Sequence, residues 1–131
     1  MKSFKKIPLM ALALFTLAFI SSCKKEETDT TKPKLTILEP SMNDTISNEV
    51  HIEFSVTDNI GLKELSVKII NGSGTELFSK IPTVTDLKVY SFHEHYDISA
   101  LSILTLMTVI ITAKDKSNNI ETKTIPIIAI P

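Results

Sequence analysis

Residues 49–57 alternate strictly between apolar and polar side chains, and this alternation constrains the fold more than any other feature of the sequence. Every second position is apolar: Val50, Ile52, Phe54 and Val56. Successive side chains of a β-strand point to opposite faces of the sheet, so the pattern predicts a strand with one buried face and one polar face. Helical spacing is nearly absent from Lys34 onward, which favours an all-β domain.

Further stretches with the same period occur along the chain, separated by residues that are typical of turns. We predict strands over residues 35–39, 49–57, 64–69, 76–80, 88–97, 105–113 and 120–130, with a polar turn over 41–48. Residues 71–74, Asn-Gly-Ser-Gly, predict a hairpin turn because they tolerate the positive φ of tight turns. About seven short strands without a helix predict two antiparallel sheets packed on one core, a β-sandwich.

The apolar stretch 101–113 has a second interpretation, as a membrane-spanning helix. It has only 13 residues, and serine or threonine interrupts it at four positions. A spanning helix needs roughly 20 predominantly apolar residues. We therefore predict that residues 105–113 form a central strand of the domain.

The N-terminus has the charge and hydropathy pattern of a secretory signal. Three lysines lie within the first six residues, and an apolar stretch covers residues 7–20. At 14 residues this stretch is shorter than the roughly 20 that a spanning helix needs. We therefore predict a cleaved signal peptide, with an uncleaved membrane anchor as the alternative.

The residues after this apolar stretch, Ile20-Ser21-Ser22-Cys23, resemble a bacterial lipobox, in which the cysteine receives diacylglycerol before cleavage. The resemblance implies that Cys23 is lipidated and that its acyl chains hold the mature protein on a membrane. Cys23 is the single cysteine of the chain, so an intramolecular disulfide is excluded. An unmodified cysteine is the alternative.

Cleavage before Cys23 divides the chain into a signal peptide (1–22), a lipidated cysteine with a flexible stalk (23–33) and a β-sandwich (34–131). The stalk is predicted to be flexible because it lacks the apolar surface needed to offset the entropy of ordering. The mature 109 residues hold 11 lysines and 15 acidic residues, a formal net charge of −4. Nucleic acid is therefore not expected as a partner.

Two segments resemble parts of bacterial immunoglobulin-like and cadherin-like modules. They are residues 56–62, Val-Thr-Asp-Asn-Ile-Gly-Leu, and residues 112–119, Thr-Ala-Lys-Asp-Lys-Ser-Asn-Asn. In the second segment Asn118 stands where those modules usually carry glycine, and asparagine tolerates the left-handed conformation. From about residue 33 to 130, the chain is similar to small Bacteroidetes-type lipoproteins built from one such module. The resemblance implies an immunoglobulin-like β-sandwich.

The charged run after Cys23, Lys24-Lys25-Glu26-Glu27, resembles the short signal that directs Bacteroidetes-type lipoproteins to the cell surface. The resemblance implies a location in the cell envelope, on the outer membrane, with exposure at the cell surface. A plain solvated linker is the alternative interpretation of the same residues.

The three histidines form the first candidate site. His93 and His95 lie two residues apart, on one side of the predicted strand 88–97, and His51 lies on the polar side of strand 49–57. The second and fifth strands of an immunoglobulin-like sandwich are antiparallel neighbours. If Thr57 lies opposite Val89, His51 then lies opposite His95.

Three imidazoles on one outer face would suit zinc or copper. The competing interpretation is a merely polar exterior. The same alternation places Glu94 inward, between Phe92 and Tyr96, which is unfavourable unless a β-bulge interrupts the strand.

A second candidate site consists of Asp58, Asn59, Asp115 and Asn119, from two loops that the immunoglobulin-like fold places at one end. Their oxygen atoms would suit calcium, as in the cadherin-like modules that these loops resemble. Asp and Asn also form turns without any ion, which is the alternative.

No motif of a known enzyme class is present: the sequence lacks Gly-x-Ser-x-Gly, His-Glu-x-x-His and a phosphate-binding glycine loop. We therefore expect no catalytic residues. The sequence favours a non-catalytic, lipid-anchored envelope lipoprotein whose immunoglobulin-like module binds a protein or glycan partner. The alternative is a metal-binding lipoprotein that uses the histidines.

The anchor is tested by Cys23→Ser, which removes the thiol that would carry the lipid. We expect the variant to remain an unprocessed precursor or to be released into soluble fractions, as measured by detergent partitioning and by intact mass. Ser22→Ala, which keeps a small residue before the cysteine, is the control and should be lipidated normally. Normal membrane retention of the Cys23→Ser protein would contradict the prediction.

Overall fold

A computed structural model of the chain describes residues 28–131, which form eight β-strands and no helix. The strands are β1 (Lys34–Glu39), β2 (Thr45–Ile46), β3 (Glu49–Thr57), β4 (Leu62–Asn71), β5 (Glu76–Lys80), β6 (Val89–Asp97), β7 (Thr105–Asp115) and β8 (Ile120–Ala129). The predicted signal peptide, Cys23 and residues 24–27 lie outside the described residues.

The strands form two sheets that enclose one hydrophobic core. The first sheet has the order β1-β3-β6 and is antiparallel. The second has the order β2-β8-β7-β4-β5 and is antiparallel except where β2 runs parallel to β8. This arrangement confirms the predicted all-β sandwich. Residues 105–115 form a strand, as expected for the stretch that could have been taken for a helix.

The strand β2 lies in a segment that was predicted to be a turn. It contains two residues, and Ile46 pairs with Ala129 and packs against the core. A strand of this length has no measurable alternation, so its sequence carries no periodic signal.

The alternation in β3 places its apolar side chains in the core. Val50, Ile52 and Val56 are 0% exposed and Phe54 is 1% exposed. The ring of Phe54 stacks on that of Phe92 with 5.0 Å between the ring centroids. The opposite side chains of β3, His51 among them, therefore form an outer face of the sandwich.

The pairing of β3 with β6 is continuous over nine residue pairs, from Glu49 opposite Asp97 to Thr57 opposite Val89. No β-bulge interrupts it, so Glu94 does lie on the inner side of β6. Its carboxylate is 3.3 Å from Lys80 Nζ at the end of β5, and its side chain is 39% exposed. Because β6 is at the edge of its sheet, Glu94 reaches solvent and a cation at the rim of the core.

Truncating Phe54 tests the assignment of the buried face. Phe54→Ala should lower the free energy of unfolding by about 3–5 kcal/mol, because it removes a buried ring and leaves a cavity. Ser55→Ala, on the outer face of the same strand, is the control and should change it by less than about 0.5 kcal/mol. Urea denaturation measures both, and equal effects of the two substitutions would refute the assignment.

Candidate functional site

The three histidines lie together on the outer face of the first sheet. His51 in β3 pairs with His95 in β6, and His93 pairs with Glu53 two positions along the same ladder. The register that was predicted from the sequence is therefore confirmed. The convergence has two causes: both strands keep their period of two, and no bulge shifts one strand against the other.

The imidazoles are close enough to share one ion. The ring centroids of His51 and His95 are 4.1 Å apart, and those of His93 and His95 are 4.8 Å apart. One ligand nitrogen from each ring lies within 4.8 Å of the others. Bonds of about 2.0–2.1 Å to a tetrahedral zinc ion require nitrogen separations of roughly 3.4 Å. Small rotations about the side-chain torsions would bring the three nitrogens from within 4.8 Å of one another to the separation that zinc requires.

Two glutamates contact the histidine cluster, and sequence analysis did not identify them. Glu49 Oε1 lies 2.9 Å from His51 Nε2 and 3.4 Å from His95 Nδ1. Glu39 Oε2 lies 3.5 Å from His51 Nδ1. Glu49 precedes His51 by two residues on one face of β3, so the spacing alone could have revealed it. Glu39 reaches the cluster from β1, where the pairing with β3 shifts between Ile37 and Glu39, and nothing in the sequence indicates this irregularity.

The surroundings of the cluster are accessible and acidic. The side chains of His51 and His95 are 42% and 43% exposed. Beside His51 lies a cavity of about 360 Å³ whose lining includes Glu39, Asp44 and Glu49. Negative groups around an accessible site raise the local concentration of cations.

Asp97 adds a further negative charge at the end of the same ladder, where it pairs with Glu49. Hydrogen bonds from the side chain and the backbone N–H of Ser99 lower the pKa of the Asp97 carboxyl below its ordinary value. Asp97 is therefore ionised at neutral pH, which adds to the attraction for cations.

The structure also brings together the loops proposed to bind calcium, where Asp58 Oδ1 and both carboxylate oxygens of Asp115 take part in turn hydrogen bonds, whereas Asp58 Oδ2 is buried without a hydrogen-bond partner among the described residues. Asp58 Oδ1 accepts hydrogen bonds from the N–H groups of Ile60 and Gly61 at 3.0 and 2.7 Å. The fully buried Asp115 accepts from the backbone N–H and the side-chain amide of Asn119, at 2.8 and 2.7 Å. Among the His, Cys, Asp and Glu side chains of residues 28–131, the group of three with the spacing for a metal ion is the histidine cluster. Calcium binding stays a prediction.

Residues ahead of β1 contact the same loops. The Asn59 side-chain amide donates to Asp29 Oδ1 at 3.0 Å, and that of Asn119 donates to the Asp29 carbonyl oxygen at 3.0 Å. The hydrogen bond from Asn59, followed by one from the Thr31 backbone, lowers the pKa of Asp29. Asn118 in the adjacent turn has a φ of 68°, a left-handed conformation that asparagine tolerates. Asn59 and Asn119 therefore hold the polypeptide that leads toward Cys23.

Large apolar side chains are exposed between β6 and β7 and at the start of β7. Ile103, Leu104 and Leu106 are 71%, 58% and 59% exposed. A cavity of about 400 Å³ beside them is lined in part by Tyr96 and Met107. Within the described part of the chain, no helix has the length and apolar character needed to cross a membrane.

Known protein-family models and curated protein sequences contain no match to this chain. The resemblance to immunoglobulin-like lipoproteins therefore stays a prediction, and the functional assignment depends on the geometry of the histidine cluster.

Proposed function

We propose that this chain is a lipid-anchored cell-envelope protein whose β-sandwich binds a divalent transition-metal ion, zinc or copper, through His51, His93 and His95. The observation that carries the proposal is the convergence of the three imidazoles, whose ligand nitrogens lie within 4.8 Å of one another. These are all the histidines in the 131 residues, and they come from two strands that are far apart in sequence.

The type of ligand selects the metal. Neutral imidazole nitrogen is a good ligand for zinc and copper, whereas calcium and magnesium prefer sites made of oxygen atoms. Affinities of a given nitrogen site follow the Irving–Williams order, so copper should bind more tightly than zinc. Which ion the protein carries in the cell then depends on the supply of each metal.

The surface position of the cluster favours binding over catalysis. The imidazoles lie on the outer face of a sheet and are reached directly from solvent. Catalytic metal sites are usually enclosed, so that the bound water and the substrate are held in a shaped, dry cavity. We therefore propose a non-catalytic role in capturing or holding the metal at the envelope.

We also propose that the β-sandwich is immunoglobulin-like, and the strand order supports this proposal. Strands β1-β3-β6 and β8-β7-β4 follow the A-B-E and G-F-C orders of immunoglobulin sandwiches, with β5 beside β4.

A protein or glycan partner also stays a prediction. The exposed Ile103, Leu104 and Leu106 are compatible with it, since contiguous apolar surface often marks an interface.

Metal titration of the full-length chain, purified in detergent with any affinity tag removed, tests the proposed function. The unaltered protein should bind one equivalent of zinc or copper, and the variant with all three histidines changed to Gln should bind neither ion at that site. The control is Ser55→Ala with Ser91→Ala, a pair on the same two strands and the same face, which should bind as the unaltered protein does.

Equal binding by the unaltered protein and the triple variant would place the metal elsewhere. No binding by the unaltered protein would refute the proposal. The histidines are partly exposed, so the triple variant should unfold at nearly the same urea concentration as the unaltered protein.

A further inference from the structure

We infer that Glu49 is the fourth ligand of the metal and that Glu39 is a positioning residue for His51, so that the site holds its ion with four protein atoms. This inference rests on the proposed function, and it adds two residues and a coordination number to it. Three nitrogen atoms and one oxygen atom of the protein would then fill all four coordination positions of the metal.

The position of one carboxylate oxygen supports Glu49 as a ligand. Glu49 Oε1 lies 2.9 Å from His51 Nε2 and 3.4 Å from His95 Nδ1, so it bridges ring nitrogens from two strands. A hydrogen bond joins Oε1 to His51 Nε2. A metal ion between these nitrogens would bond to the same oxygen, and any proton held between Oε1 and Nε2 would be released to solvent as the ion binds. Zinc accepts carboxylate oxygen at about 2.0–2.2 Å, close to its distance from imidazole nitrogen.

Glu39 occupies the other side of the His51 ring. Its Oε2 is 3.5 Å from His51 Nδ1, while Nε2 faces Glu49. A histidine that ligates a metal through one nitrogen commonly donates its other N–H to a carboxylate, which fixes the tautomer and the ring orientation. A small rotation of the Glu39 side chain from its 3.5 Å separation would let it accept a hydrogen bond from Nδ1, which would hold the proton there and leave the Nε2 lone pair for the ion.

The number of ligands has a chemical consequence. A catalytic zinc site has three protein ligands and a water molecule, whereas a structural or storage site has four protein ligands. If Glu49 takes the fourth position, no water is available for activation by a tetrahedral zinc ion. The site would then retain metal without hydrolytic chemistry, in agreement with the proposed role.

Glu53 provides a matched control for Glu49. The two glutamates flank His51 at equal spacing on one face of β3, and Glu53 pairs with His93. Within residues 28–131, no hydrogen bond or ion pair joins Glu53 to an imidazole. Replacing either glutamate by glutamine removes the same charge from the same face, so any excess loss of affinity at Glu49 reflects its contacts with the imidazoles, and the cobalt spectrum then separates a ligand from an indirect partner.

The test is a zinc competition titration of the full-length chain in detergent, carried out in 0.5 M NaCl to screen long-range attraction. Glu49→Gln should weaken zinc binding at least about tenfold more than Glu53→Gln does, because even indirect partners of metal ligands contribute about 10–100-fold. The loss of zinc affinity caused by Glu39→Gln should also be about 10–100-fold.

Cobalt substitution reports the ligand set separately from affinity. The unaltered protein should give the intense visible absorption of four-coordinate cobalt, and Glu49→Gln should shift these bands because a water molecule or an amide oxygen replaces the carboxylate. Glu53→Gln should keep the spectrum of the unaltered protein.

The outcomes separate the inference from the proposed function. If the unaltered chain binds neither zinc nor copper, both are wrong, whereas binding of copper without zinc would leave the proposed function and overturn the four-ligand zinc site. If it binds zinc but Glu49→Gln matches Glu53→Gln in affinity and in cobalt spectrum, the histidine site stands and only the role of Glu49 is overturned. Unchanged affinity in Glu39→Gln would overturn the role of Glu39.

Discussion

The continuous pairing of β3 with β6 is the interaction on which both the core and the candidate site depend. Nine residue pairs succeed one another without a bulge, so the side chains of both strands keep a single alternation along the whole ladder. A slip of one residue would move Phe54 into solvent and turn His51 toward the core. The burial of the apolar face therefore fixes the position of the histidines, although they contribute nothing to the core themselves.

The buried face of the β3–β6 ladder therefore stabilises the domain, whereas the outer face carries the proposed metal site. The imidazoles and their neighbouring glutamates lie on a face that solvent reaches, so their removal leaves no cavity and no buried unpaired group. Several negative groups, Glu39, Glu49 and Asp97, gather around the histidines, and a divalent cation would offset their mutual repulsion. An ion that binds only the folded protein would also stabilise it by mass action.

Periodicity in the sequence was sufficient to predict the faces of the strands, and prediction failed where the chain departs from that periodicity. The alternation in residues 49–57 and 88–97 predicted the outer face, whereas the pairing of His51 with His95 was predicted from the resemblance to an immunoglobulin-like sandwich and an assumed register of Thr57 opposite Val89. Strand β2 is too short to show a period. Glu39 joins the cluster through an irregularity in the β1 pairing, which depends on tertiary packing. Glu94 was expected to need a bulge, but the rim position and Lys80 satisfy its charge without one.

The most direct test of the central claim is anomalous scattering at the zinc absorption edge from crystals of the zinc-loaded protein. A single ion should lie on the outer face of the β3–β6 ladder, at about 2.0–2.1 Å from one nitrogen of each of His51, His93 and His95. A zinc ion bound at another part of the chain, or bound to one of these histidines alone, would contradict the claim that the register of two strands builds a three-histidine metal site.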